Sequence, residues 1–319
     1  MSQSQRPEGP PYAPRAASAG GVPSVLPDVP IAAVLISIYL GFAITNMTIF
    51  QLNRKRHYKF FPTVFIFGFC MARLATLVLR IAWATRQHNV RLAIAANIFV
   101  SAGILIIYVV NLLFAQRILR ATQPKIGWNP VLSTVFKVFY GGIGAALIMV
   151  ITASVLGMYT LNMSTLKAVR DVQLAASTYL LLFVTLPLLL LILSQFLPNS
   201  GSEEQFGQGS MTKKKLIVLA VSCLSITIAG FKTGSAWMPA RPISNPAWYQ
   251  SKACFYVFNF AFEILILIVL TATRPDRVFY VPNGSKRAGD YTRLNEKGSG
   301  DSVHSLQDKQ RQEYASEKA

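Results

Sequence analysis

Seven predominantly apolar runs dominate the chain, at 31–50, 61–84, 92–115, 136–160, 174–197, 216–233 and 253–273. A helix needs about 20 such residues to cross a bilayer. In hydrocarbon, backbone amides must be satisfied inside the span, so these runs are expected to be helical. The predicted fold is an all-α integral membrane protein, a bundle of seven transmembrane helices. The connections are short, so neighbouring spans are expected to pack antiparallel. Within the runs, Pro187 predicts a kink in the fifth span. Gly141, Gly142 and Gly144 predict close helix contact in the fourth. Lys232 intrudes near the end of the sixth, where a lysine is expected to reach the interface.

Only 14% of the 319 residues are charged, against about 25% in a soluble domain. The net charge of +18 is that of many nucleic-acid binders. Here, however, the basic residues fall between apolar runs and in the C-terminal segment, where topology and anionic lipid headgroups account for them. No nucleic-acid motif accompanies them, and nucleic acid is not an expected partner. Residues 1–30 are rich in Pro, Ala, Gly and Ser, and residues 274–319 are polar and basic. Both read as disordered tails around a membrane domain at 31–273. The N-terminal segment has no basic-then-apolar leader, so the first span is expected to direct its own insertion. Cys70, Cys223 and Cys254 imply no disulfide framework.

Orientation follows from the basic residues. Arg54, Lys55, Arg56 and Lys59 lie in the first loop, Arg117, Arg120 and Lys125 in the third, and Lys213, Lys214 and Lys215 in the fifth. Arg274, Arg277, Lys286 and Arg287 join them on the same side, making fourteen against eight on the other. The richer side is expected to be cytoplasmic, with the N-terminus outside and the C-terminus inside. Trp83, Trp237, Trp248 and Tyr249 then mark the outer helix ends and Trp128 the inner side, as interfacial aromatics do.

The charges within the spans carry the sharpest expectation. Arg73 and Arg80 are seven residues apart, on nearly one helix face. Counting from Phe61 at 1.5 Å per residue places Arg73 about 18 Å deep, near the midplane. Arg80 lies nearer the outer surface, where it is expected to snorkel. A central arginine costs at least about 2.5 kcal/mol, so it should face the bundle and find a partner. Glu263, halfway along the seventh run, is the one acid inside any run. An Arg73–Glu263 pair is therefore predicted, with Asn259 one turn earlier supplying a further hydrogen bond. The pair reads either as a structural clamp or as a lock that opens on activation; the clamp is the simpler reading. Asn46, Asn97 and Asn111 are expected to hydrogen-bond between helices.

His57, His88 and His304 all lie outside the runs, so no metal-ligand cluster exists at depth. There is no GxSxG elbow and no phosphate-binding loop. Neither an enzyme nor a cofactor is expected.

The segments MTIFQLNRKRHYKF, FGFCMARLATLVLRIA, VRLAIAANIFVSAGI, NLLFAQRILRATQP and NPAWYQSKACFYVFNFAFE resemble an uncharacterised fungal family of seven-helix proteins. Its members are often labelled family C-like G-protein-coupled receptors. The resemblance runs from about Pro27 to the VPNG at 281–284 and covers all seven spans. It implies a multi-pass membrane protein with receptor-like topology.

Three functions fit these observations. The first is a plasma-membrane sensor whose basic inner loops contact a heterotrimeric G protein or another cytoplasmic partner. The second is a small transporter or lipid-handling protein using Arg73, Arg80 and Glu263. The third is a scaffold whose loops bind anionic headgroups. The lipid bilayer is a partner in all three.

Overall fold

The computed structural model describes residues 9–12, 16–56, 60–197, 203–282, 284–285 and 287–292. Seven helices long and apolar enough to cross a membrane run through them. No β-strand occurs among the described residues. The chain is an all-α, multi-pass integral membrane protein.

The first two spans are α1 (Val25–Lys55) and α2 (Phe61–Thr85). The third is split into α3 (Val90–Ala102) and α4 (Leu105–Thr122), followed by a short α5 (Pro124–Gly127). The fourth, fifth and sixth are α6 (Pro130–Tyr159), α7 (Met163–Phe196) and α8 (Met211–Trp237). The seventh joins α9 (Lys252–Tyr256) to α10 (Phe262–Thr273) through a π-helical turn, Val257–Ala261. A last turn, α11 (Pro275–Val278), follows.

Several helices outrun their apolar stretches because polar residues set where they start. The Asn129 side chain accepts the Val131 amide at 2.8 Å, with Pro130 pre-set in the first turn, so α6 begins before 136. Asn162 caps α7 through the Ser164 amide at 3.0 Å, and Ser210 caps α8 through Lys213 at 3.3 Å. At 34 residues, α7 is about 50 Å long and exceeds a hydrocarbon layer of roughly 30 Å. It runs through the buried Pro187 as one helix. Residues 25–30, expected in a disordered tail, are instead the start of α1. Asp28 lies in its first turn and Arg54 and Lys55 in its last, as the helix dipole favours.

Sequential spans pack side by side, α1 lies along α2, and α10 returns to α1. The centre belongs to α4, which touches α2, α7 and α8. It is sequestered along most of its length, with Ile107, Val110, Leu112 and Ile118 each 1% exposed or less. Of the three α6 glycines, only Gly142 sits against a neighbour. A Cβ there would run into the Tyr179 hydroxyl of α7, while Gly141 and Gly144 have open space. That hydroxyl donates to the Phe139 carbonyl at 2.8 Å. Gly142→Ala is therefore expected to cost about 1–3 kcal/mol through overpacking, and adding Tyr179→Phe should recover part of it. Gly141→Ala and Gly144→Ala should shift thermal unfolding in detergent by no more than about 0.5 kcal/mol.

Both ends of the bundle are covered. At the end holding Asp28, residues 16–24 cross the loops. The Ala17 amide donates to Arg241 O at 2.9 Å, Gly20 to Gln250 O at 2.9 Å, and the Gln87 side chain to Pro23 O at 2.9 Å. At the end holding Arg117, residues 203–209, 274–282 and 287–291 fill the mouth. Phe279 stacks on Phe114 with centroids 4.3 Å apart, and Phe206, Phe279 and Tyr291 are buried. Glu204 accepts the Gly289 and Tyr291 amides at 2.7 and 3.1 Å. The expectation of a disordered tail from 274 is thus corrected for its described part. Phe279 buries against Phe114 of α4 and Tyr291 against Trp128 and Phe206, contacts that overall polarity conceals. Nearby, Asp276 is buried, which alone would raise its pKa. Hydrogen bonds from Arg274 and Asn53 outweigh this and hold the carboxyl below its ordinary value.

Candidate functional site

Two charge centres lie along the faces where α1, α2 and the seventh span meet. In the first, the Arg73 guanidinium grips Glu263 with both prongs, Nε–Oε2 at 2.6 Å and Nη2–Oε1 at 2.5 Å. Both side chains are 0% exposed. The predicted pair is present, in the bidentate geometry that makes arginine–carboxylate contacts directional. Arg73 also donates through Nη1 to the carbonyls of Phe99 and Val100, at 3.2 and 3.1 Å.

Those carbonyls lie at the break in the third span. Around Gly103 and Ile104 the helix tightens, with Ile107 N donating to Ile104 O at 3.0 Å in an i→i+3 bond. Gly103 is what lets the arginine approach. A Cβ there would lie 3.1 Å from both Cζ and Nη1 of Arg73. Glu263 sits just beyond the π-helical turn of the seventh span. One buried guanidinium therefore ties together two helix irregularities.

The help expected from Asn259 comes from Tyr39 instead. Its hydroxyl donates to Glu263 Oε2 at 3.3 Å. Asn259 donates to the Phe255 carbonyl at 2.9 Å. The π turn inserts an extra residue per turn, so residues four apart no longer share the face an α-helix would give them.

The second centre departs from the expectation that Arg80 snorkels. Arg80 does not reach headgroups: it is 2% exposed and donates to Asp28 at 3.1 Å, Gly20 O at 3.1 Å and the Tyr256 hydroxyl at 3.3 Å. Its guanidinium lies 4.0 Å from the Phe255 ring centroid. Asp28 also accepts from Tyr256 at 2.7 Å and Lys252 at 2.5 Å. Sequence did hold a signal, because Asp28 is the only acid between Gly9 and Arg170.

The remaining polar positions disperse. Asn111 of α4 donates to Ser222 of α8 at 2.9 Å, an interhelical bond as expected. The backbone carbonyl of Asn97 accepts from Ser101 on its own helix at 3.1 Å, and the residue is not drawn into either centre. Asn46 reaches Thr271 at 3.3 Å.

The basic loop residues divide. Arg54, Lys55, Arg56 and Lys213 are exposed, and Lys59 lies outside the described residues. Lys215 pairs with Gln195 at 2.7 Å. Three others face inward and are corrected as free loop charges. Lys214 is 1% exposed and donates to Phe206 O at 2.6 Å. Arg117 donates to Phe279 O at 2.5 Å, and Arg120 to Gly127 O at 3.2 Å while covering the Trp128 ring. Lys214 and Arg117 bind backbone carbonyls of the segments that plug the mouth, and Arg120 binds one of α5, roles that counting charges per loop cannot separate from topology.

A third feature is a cavity of about 240 Å³ between the third, fourth, fifth and sixth spans, with Lys232 and Tyr108 among the residues that line it. The lysine reaches no interface: its ammonium is buried without a hydrogen-bond partner among the described residues.

No family model, curated protein or solved structure matches the chain.

Proposed function

We propose that the protein is a receptor-like sensor of the plasma membrane, in which movement of the third and seventh spans is transmitted to a cytoplasmic partner. The observation that carries this reading is the Arg73 guanidinium, bound at once to Glu263 and to the carbonyls at the third-span break. Neither span can shift without changing this tie, and π turns and helix breaks are frequent where helices move. The proposed orientation puts the Arg117 end in the cytoplasm, in line with the basic-residue excess and the family resemblance. Exposed Arg54, Lys55, Arg56 and Lys213 are then available to an acidic partner surface, such as that of a heterotrimeric G protein, or to anionic headgroups. The packed residues 274–282 would be displaced on coupling.

Both intramembrane arginines are occupied by carboxylates and carbonyls. Neither offers a free guanidinium to a passing anion, which favours sensing over transport.

The test is nucleotide exchange on a purified heterotrimeric G protein, with the full chain in nanodiscs. The sensor reading expects Glu263→Gln, which weakens the tie, to raise basal exchange several-fold over the parent chain. Unchanged exchange, together with chloride or proton flux in liposomes that Arg73→Met abolishes in a folded protein, would move the assignment to transport.

A further inference from the structure

The cavity between the third, fourth, fifth and sixth spans holds two donors without partners, and no acidic side chain lines it. Lys232 Nζ and the Tyr108 hydroxyl are both buried and unpartnered among the described residues, and both line this space. Tyr108 is only 3% exposed. Of the hydroxyls lining the same space, those of Ser101, Ser177 and Thr233 already donate elsewhere. Ser177 donates to Leu174 O at 2.9 Å and Thr233 to Ser177 O at 3.0 Å. An unpaired ammonium within a membrane span is costly, and a buried hydroxyl without a partner adds to that cost. What the site lacks is an acceptor carrying negative charge.

We propose that this cavity binds a small amphiphilic monocarboxylate. One carboxylate oxygen would accept from the Lys232 ammonium and the other from the Tyr108 hydroxyl. A short alkyl chain would lie against Ile104 and Leu180, which line the same space. One lysine matches a single negative charge. The volume of about 240 Å³ equals roughly eight waters at ~30 Å³ each. That is below the roughly 300–1,000 Å³ of sites for drug-sized ligands, so the ligand is small. Ile104 belongs to the third-span break whose carbonyls hold Arg73 on its other side. The proposal deepens the sensor reading by naming its ligand class, and rests on that reading only for the consequence of binding.

The experiment is thermal unfolding of the purified full chain in a neutral detergent, titrated with octanoate. Octanol, octyltrimethylammonium and acetate serve as separate arms. Octanoate is expected to raise the midpoint saturably, and the other three are not. Lys232→Met should weaken octanoate binding about tenfold or more, the range of a charged hydrogen bond. Tyr108→Phe should weaken it roughly three- to tenfold. Without octanoate, Lys232→Met should be at least as stable as the parent, because it keeps the apolar stem and removes an unpaired charge.

Equal stabilisation by octanol, or undiminished octanoate affinity in Lys232→Met, would overturn the proposal. Equal stabilisation by acetate would overturn the amphiphile. Saturable octanoate binding that leaves nucleotide exchange unchanged would instead remove the sensor reading and keep the ligand site.

Discussion

Removing either partner of the Arg73–Glu263 pair alone will destabilise the protein by about 3–5 kcal/mol, because it strands a buried charge. Glu263→Met leaves a guanidinium with two carbonyl ligands and no counter-charge. Arg73→Met leaves a carboxylate held only by the long Tyr39 bond of 3.3 Å. The double variant R73M/E263M should recover most of the loss, since no charge then remains in the apolar interior. It should not recover all of it, because the Phe99 and Val100 carbonyls also lose the donor at 73; an unmet carbonyl costs about 1–3 kcal/mol.

The charge swap R73E/E263R separates this site from a bare ion pair. A bare pair tolerates reversal. Here the swap places a carboxylate against two carbonyl oxygens, so it should be less stable than the double methionine variant. Thermal unfolding in detergent of the four variants closes the cycle. Single variants each costing under about 1 kcal/mol would show that the pair is screened as a surface ion pair is.

That pair was readable in the sequence for a simple reason. A span contains so few charges that one acid and one arginine at matching depth select each other. The seven spans were equally legible, because length and apolar composition suffice to define them. Helix ends were not, since Asn129, Asn162 and Ser210 cap the helices from outside the apolar runs. Asp28 was hidden differently. It lies among prolines and glycines that read as a tail, and its burial comes from Arg80, Lys252 and Tyr256, all distant in sequence. Lys214 and Arg117 look like loop charges because sequence distance from a span says nothing about which way a side chain turns. The third-span break at Gly103 is invisible in composition, for a glycine in an apolar run is equally at home in an unbroken helix. Its meaning appears only with the arginine beside it.

The second large effect is expected at Asp28. Asp28→Asn keeps the shape and the capacity to accept hydrogen bonds but removes the charge facing Arg80. The Lys252 contact adds little to the loss, since that side chain is 34% exposed and water screens it. Arg80 is different, with a side chain 3% exposed against an Asp28 side chain 2% exposed. Stranding it should again cost about 3–5 kcal/mol in thermal unfolding. A local readout distinguishes this from general loosening. Arg80 holds the Gly20 carbonyl at 3.1 Å, so amide hydrogen exchange across residues 16–24 should rise before exchange in α4 does. Arg80→Lys should give the same order with a smaller loss. It keeps the charge, but a single ammonium cannot reproduce the guanidinium fork that spans Asp28, Gly20 and Tyr256. If Asp28→Asn leaves both stability and exchange at 16–24 unchanged, Arg80 reaches the headgroup layer as its position along the second span first suggests. The second charge centre is then no part of the machinery that holds this end of the bundle.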